Sequence, residues 1–459
     1  MKKIFLLLFF VSMHFFGCAN AKKEINGDCE YLKTILSQAY VNYDEAEQKN
    51  FDTEFLIKNI KYDYQKQCGV KNFNPQKFGL LVALHVTDYL ASLNIIDNHL
   101  TFASEDFDCS FFYQTYSYYS NIYFEKQDGK FVVFSSDNDE IKKGSVFTGN
   151  TDDLKITYDK NKVLYRYVVL SAESQPNIQI SVNQKNFPCN AKRMSSKSGG
   201  TISFQETSSS IYISLPDCYL EIANPQEHKM VLKEFNSVIE KIMNADVNKN
   251  VILDLRGNSG GYAEVIYRLL VPIFYRVRYE DFPEFYYAIE KAQNGQYELH
   301  STEINKAILK LEEERNAQKK ITNVEAERLL VRKTTNADGL PQVLNEKLTK
   351  KLYILIDSRT ASAAEYGIAT AYLINKEKIV LVGDKSYGAM ESGNWYSYTL
   401  PKSKLEITLA TVNHSKENLF ICNEHWHGDT KGFYPDFWCA DYVLENVQYL
   451  TGDFELGGF

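Results

Sequence analysis

Residues 358–367 read SRTASAAEYG, with Ser362 between two alanines at the junction of an apolar run, KLYILID, and a helix-forming run. A serine in that place can be either of two things. It can cap the helix, because its side-chain oxygen accepts from the first unpaired N–H groups. It can also be a nucleophile, because the helix start offers free N–H donors and a positive dipole end beside it. The G-x-S-x-G elbow is absent, which argues against an α/β-hydrolase. A second segment, VILDLRGNSGGY (251–262), is an apolar strand that ends in Asp254 and Arg256 and enters a glycine-rich turn. It matches neither the phosphate loop nor the dinucleotide fingerprint. Such a turn can aim backbone N–H groups at an oxyanion without side-chain obstruction. The plainer reading is a tight turn braced by an Asp254–Arg256 ion pair. His99, in IIDNHLTF (95–102), is either a structural histidine or a base that is neutral near pH 7. HWHG (425–428) has two histidines two apart, which on a strand would share a face and could bind metal, but no third, distant ligand is visible.

These groups need elements to position them. Residues 28–98 carry helical periodicity with few breakers, as in PQKFGLLVALHVTDYLASL, and predict a small domain of about three helices. From 106 to 215 short alternating runs such as KFVVFSS and NIQISVN are parted by Gly, Asn and Asp, which predicts a β-rich stretch. VLKEFNSVIEKIM (231–243) is an amphipathic helix followed by the buried-strand run NVILDL, and EKIVLVG closes a second helix-then-strand unit after Ser362. Strands alternating with helices predict an α/β core over about 205–445. The charged stretch 280–347 interrupts that core as a helical insertion, read either as a solvated excursion or as a lid.

A chain of 459 residues suggests roughly three domains at about 150 residues each. With 32 Tyr and 28 Phe the chain is built for large cores and half-buried strands, not for disorder. A net charge of −8 with no basic patch argues against a nucleic-acid partner. MKKIFLLLFFVSMHFFGCANA has two lysines, then an apolar core too short to span a bilayer, so it reads as an export signal. Two processing sites compete: FFGC, a lipobox with Cys18 as lipid acceptor, and cleavage after Ala21 at the end of ANA. Eight cysteines in an exported chain permit disulfides; Cys29 with Cys68 and Cys422 with Cys439 are the pairs to test first.

The order of the motifs is informative. D-x-H, then DLRGNSGG, then TASAAE, then VGDKSYG, then GFYPD resembles the carboxyl-terminal processing, or tail-specific, serine peptidases, over most of residues 30–445. The resemblance implies a crotonase-like α/β core, with an N-terminal helical domain and a β-rich domain similar to PDZ domains through DNDEIKKGSVFTG (137–149). It gives four parts: a signal peptide (1–21), the helical domain (22–105), the β-rich domain (106–204) and the peptidase core (205–459). It implies Ser362 as nucleophile, with an oxyanion hole from Ala363 N–H and the Gly260–Gly261 turn, Gly260 first. No cofactor is implied, and the partner is a peptide or protein substrate.

One position departs from the pattern. Where the Ser/Lys branch has its base this chain has Ala389, and Lys385 lies four residues earlier, across the turn. The tricorn-like branch uses a histidine in the D-x-H segment, and His99 matches that place. That branch also has a glutamate just after G-x-x-P-D. Here Trp438 stands there, which leaves Asp436 as the nearby carboxylate to orient His99. Two functions follow: an exported serine peptidase, periplasmic, envelope-anchored through Cys18 or secreted, and a non-catalytic peptide- or ligand-binding protein on the same fold. A metalloenzyme built on HWH is the remote third.

Overall fold

The computed structural model describes residues 21–37, 39–69, 72–105, 108–110, 114–197, 199–219, 225–281, 346–413, 424–439 and 443–456. Cys18, the second expected cysteine pair's Cys422 and nearly all of the expected insertion at 280–347 lie outside them. The chain divides into two compact units. The first holds residues up to Tyr113 and the segment Glu391–Ser415; the second holds Gln114–Asn294, Ala337–Met390 and Lys416–Phe459.

In the first unit the expected helices form over 21–37, Tyr43–Gln48, Thr53–Cys68 and Pro75–Ser92. Their starts are set locally: Asp52 accepts from the N–H groups of Glu54 and Phe55, and Asn74 caps a helix whose first residue is Pro75. Their apolar faces bury Leu32, Ile60, Tyr64, Phe78 and Val86 in one core. That core is completed by Tyr398, Ile407 and Leu409. The strands that carry these, Ser392–Thr399 and Glu406–Asn413, form a four-stranded antiparallel sheet with Thr101–Ala103 and Asp108–Ser110. The expected boundary gave all of 205–459 to the core; this hairpin instead packs with the helices, because Thr101–Ala103 needs a partner strand and the helical core needs its aliphatic face. Cys29 and Cys68 are free thiols, and Cys29 is fully buried among the helices, so the first expected disulfide is absent. Cys439 is also a free, buried thiol.

The second unit has two layers of organisation. Its β-rich part is a sheet in the order Lys130–Ser135, Tyr116–Gln127, Lys162–Ser171, Leu154–Asp159, with Lys192–Arg193 added to Tyr116–Gln127. A separate hairpin joins Asn177–Val182 to Lys185–Asn190. Phe124, Phe147, Ile178 and Ile180 fill the space between them. The segment 137–149 is a loop whose Phe147 points into that core.

The α/β part is a six-stranded sheet in the order Ser203–Glu206, Ser210–Ser214, Asn250–Asp254, Leu352–Ile356, Ile379–Gly383, Phe437–Trp438. Only the first pair is antiparallel. Strand Leu352–Ile356 is buried at every residue, as a parallel strand covered on both faces must be. Helices Pro225–Asn244, Ala263–Tyr275 and Ala363–Asn375 pack one face and Val443–Thr451 the other, around two separate apolar clusters. Three adjacent parallel strands end at Asp254, Ile356 and Gly383, and their following turns contain Gly260, Ser362 and Ala389. That is the edge of an open α/β sheet where sites are usually built.

Candidate active site

Ser362 occupies the N-cap position of helix Ala363–Asn375, with φ 51° and ψ −120°. An ordinary cap residue sits in the β region. A non-glycine residue in this conformation stores about 1–3 kcal/mol, which persists only where the surroundings over-determine it. They do so here. Asn258 O accepts from Ala361 N at 2.9 Å, tying the DLRGNSGG turn to the TASAAE turn. Thr360 Oγ1 donates to Leu255 O at 2.9 Å and accepts from Asp357 N at 3.0 Å. Ser362 N donates to Glu365 Oε2 at 3.0 Å. The serine is half-buried.

Gly260 lies against it. A Cβ added at Gly260 would stand 2.7 Å from Ser362 Cβ, 2.9 Å from Ala361 O and 3.1 Å from Ala363 N, and its φ is +99°. Only glycine lets this backbone pass so close to the serine. Ala363 is the first helical residue, so its N–H has no partner within the helix. Gly260 N–H, in contrast, donates to Asn258 Oδ1 at 2.9 Å. Gly261 N–H makes no hydrogen bond among the described residues, which makes it the open donor of the turn. Cys218 N donates to Gly260 O and Tyr262 N to Cys218 O, both at 2.9 Å, so a parallel bridge holds the turn from outside.

Asp254 and Arg256 form the expected ion pair. Arg256 Nε and Nη2 fork onto the Asp254 carboxylate at 2.8 and 2.7 Å, and Tyr212 OH and Lys197 Nζ donate to it at 2.6 and 3.1 Å. Burial pushes the Asp254 carboxyl upward, but the Arg256 bonds and charge with that of Lys197 outweigh it, leaving the group below its usual range. This is a brace under the turn, not an acid or base aimed at Ser362.

Glu365 is a site residue that sequence reasoning passed over. It is fully buried, and its carboxylate collects Ser362 N at 3.0 Å, Ser386 Oγ at 2.5 Å, Gly388 N at 2.7 Å and Ala389 N at 2.9 Å. Burial raises its carboxyl above the ordinary range, and the four donors pull it partly back. Its S-x-x-E spacing from Ser362 is the capping-box signature that could have found it. One carboxylate therefore bridges the serine turn and the turn holding Ala389, which is 6% exposed. Its methyl group can neither give nor accept a proton.

Lys385 is buried and engaged elsewhere. Its Nζ donates to Ser386 O at 2.8 Å, Thr430 O at 3.1 Å and Tyr387 O at 3.4 Å. Desolvation lowers its pKa to about 8 despite Asp384 beside it, and the Asp384 carboxyl is itself raised to about 6 by burial. Asp384 accepts from Ser117 Oγ at 2.5 Å, fastening the β-rich part to the sheet. His99 belongs to the first unit, in the turn before Thr101–Ala103, where its backbone N–H donates to Asp97 Oδ1 at 2.8 Å. Asp436 belongs to the second, accepting from Leu381 N at 2.8 Å and standing 3.7 Å from His425 Nε2. Trp438 is buried against Tyr434. The two HWH histidines have separate ring partners: His425 stacks on Tyr372 and His427 on Tyr434. Among the described residues no cluster of three or more His, Cys, Asp or Glu could hold a metal ion.

Comparison with known proteins gives the following. No curated protein matches the chain. Among solved structures the chain is similar to mature CPAF complexed with lactacystin, at 12% identity and a TM-score of 0.41, over 94% of this chain and 99% of that one. It is similar to the photosystem II D1 C-terminal processing protease at 11% identity and a TM-score of 0.34, over 94% and 98% of the two chains. A lipoprotein from Streptococcus agalactiae matches at 14% identity and a TM-score of 0.27, over 55% and 70%. The family model of peptidase family S41 matches residues 217–424, which include the glycine turn, Ser362 and Ala389. Over those residues the chain carries a peptidase family S41 domain.

Proposed function

We propose that the protein is a serine peptidase in which Ser362 attacks the carbonyl carbon of a peptide bond. The carrying observation is the strained backbone of Ser362, pressed against Gly260 at the start of a helix whose first N–H has no partner within the helix. Attack forms the Oγ–C bond and moves the carbonyl electrons onto oxygen, where Ala363 N–H and the Gly260–Gly261 turn receive them. Because Gly260 N–H is held by Asn258, Gly261 N–H is the donor of that turn we favour over Gly260. The oxyanion collapses, the amine leaves with a proton, and water hydrolyses the acyl-enzyme.

His99 is the proposed base that takes the serine proton and returns it to the leaving amine. Its support is its place in the D-x-H segment together with alanine at 389. The tricorn-like branch, the crotonase-like description of the core and a PDZ-like, peptide-holding role for the β-rich part belong to the same reading, as does export with lipid attachment at Cys18. The alternative, a binding protein without catalysis, is favoured by one observation, the buried methyl group of Ala389 in the place of a lysine.

The test is hydrolysis of a mixed peptide library followed by mass spectrometry. Wild type is expected to cut peptides, Ser362→Ala to cut none, and His99→Ala to lose about 10²–10⁴-fold. A folded wild type that cuts nothing would leave the binding-protein reading; an undiminished His99→Ala would remove the base assignment alone.

A further inference from the structure

The helices of the first unit carry their charge unevenly. An ion pair of Lys33 with Glu54 joins the end of helix 21–37 to the start of Thr53–Cys68. Burial raises the pKa of the Tyr64 hydroxyl, and the charge of Glu24 adds to the effect. The two helices therefore run antiparallel. Asn74 N donates to the same hydroxyl at 2.5 Å. The start of helix 21–37, the end of Thr53–Cys68 and the start of Pro75–Ser92 thus meet around Tyr64. This end bears Lys22, Lys23, Lys66 and Lys77, all exposed. Its acids, Glu24 and Asp63, are partly buried, and Asp63 pairs with His85. The opposite end gathers Asp44, Glu45, Glu47, Asp52 and Glu54, and its Lys33 and Lys49 are held by Glu54 and Glu45.

Apolar side chains stand outward beside the basic end. Tyr62 is 64%, Leu80 41% and Leu84 40% exposed. Each lies two residues from a core residue on either side: Ile60 and Tyr64, Phe78 and Val82, Val82 and Val86. Two residues are about 200° around a helix, so these side chains point away from the core. His85 Nε2 meets Asp63 Oδ2 at 3.0 Å, which brings the turns carrying Tyr62 and Leu84 side by side. A tyrosine ring and leucines ringed by lysines suit the boundary between acyl chains and anionic headgroups.

We infer that this end of the first unit is a docking surface for an anionic phospholipid bilayer. Lys22, Lys23, Lys66 and Lys77 attract the headgroups, and Tyr62, Leu80 and Leu84 enter the interface. The acidic opposite end is repelled, so the charge polarity fixes which way the unit faces. Cys18 stands three residues before Ala21, and a lipid there reaches the bilayer from this same end. That orienting role rests on the lipid attachment proposed for Cys18; the affinity for anionic lipid does not. Exposed charges are screened beyond about 8 Å at physiological salt, so the surface alone is a weak, salt-released attachment.

The experiment is co-sedimentation of the mature chain, begun at Lys22 and free of lipid, with vesicles. Vesicles of equal parts phosphatidylglycerol and phosphatidylcholine at low salt are expected to bind it at least about 10-fold more strongly than phosphatidylcholine alone. High salt should release it. At about fivefold for each lysine, joint Lys22→Gln, Lys66→Gln and Lys77→Gln should cost about 100-fold. Lys130→Gln, Lys142→Gln and Lys185→Gln remove the same charge from exposed positions of the second unit and should leave binding near wild type. Tyr62→Ser with Leu84→Ser should cost about 10-fold. All of these positions are exposed, and circular dichroism confirms that each variant is folded. A wild type that binds both vesicles equally, or an equal loss in the second-unit variant, overturns the surface. So does a dimer formed without vesicles and lost in Tyr62→Ser with Leu84→Ser, which would assign the patch to a second copy of the chain. Vesicle binding by a protein found without lipid on Cys18 supports the surface and removes only the lipid attachment.

Discussion

Replacing Gly260 with alanine puts one methyl group into the contact on which the proposed chemistry depends. That carbon would sit 2.7 Å from Ser362 Cβ, 2.9 Å from Ala361 O and 3.1 Å from Ala363 N. Carbon atoms rest at about 3.5–4.0 Å, so the serine and its turn must retreat by about 1 Å. All three neighbours are backbone or Cβ atoms, so no flexible side-chain tip can absorb the movement. A shift of that size costs about 10²-fold in rate, and displacing an oxyanion donor about 10²–10³-fold. Stability suffers as well: about 1–3 kcal/mol for alanine at φ +99° and a further 1–3 kcal/mol for overpacking. The assay is the second-order rate of fluorophosphonate labelling, read beside urea unfolding on the same preparations. Gly260→Ala should stay folded in low denaturant and label at least about 100-fold more slowly. Gly129→Ala is the control: its φ is +78° but nothing lies within 4 Å of the new carbon, so it should lose about 1 kcal/mol and label normally. A folded Gly260→Ala that labels at the wild-type rate would refute the argument that this contact sets the geometry of the nucleophile.

Three further outcomes are expected. His99→Ala should regain part of its lost labelling when Ala389→Lys is added, because Ala389 N shares the Glu365 carboxylate with Ser362 N; no gain in a folded double variant would separate residue 389 from proton transfer. The Asp384 carboxyl, raised by burial from 3.8 to about 6, keeps its proton in the folded state after the unfolded chain has released it. Stability should therefore fall as pH rises from about 4 to 6, and Asp384→Asn should flatten that window in urea unfolding; an unchanged slope would assign it to another group. Cys18→Ala should move the protein from the membrane fraction to the soluble one in a cell that processes lipoproteins, and an unchanged distribution would speak for cleavage after Ala21.

Much of the fold was legible because its signals are local. The helical stretch before residue 98 announced itself by periodicity and caps, and the buried runs NVILDL and KLYILID by continuous apolarity. The hairpin at Ser392–Asn413 was not, since its pairing with Thr101–Ala103 joins distant segments and leaves no mark on its own period. The same contrast holds in the site. The glycine turn and Ser362 stood out by residue type, whereas the strained φ of Ser362 had no flanking glycine to betray it. Glu365 could be seen as half of a capping box, but its hold on Gly388 and Ala389 depends on strand order. Gly260 was the natural first donor of its turn until Asn258, two residues earlier, was seen to occupy its N–H. The disulfide expected from Cys29 and Cys68 failed because export permits such bonds without requiring them, and the helical core closes around Cys29 without one.

The central claim is that Ser362 is a nucleophile. The most direct measurement is peptide mapping of the folded protein after reaction with a fluorophosphonate. A single adduct on the peptide containing SRTASAAEYG, absent from Ser362→Ala, is the predicted result. No adduct on folded protein, or one that persists in Ser362→Ala, would contradict it.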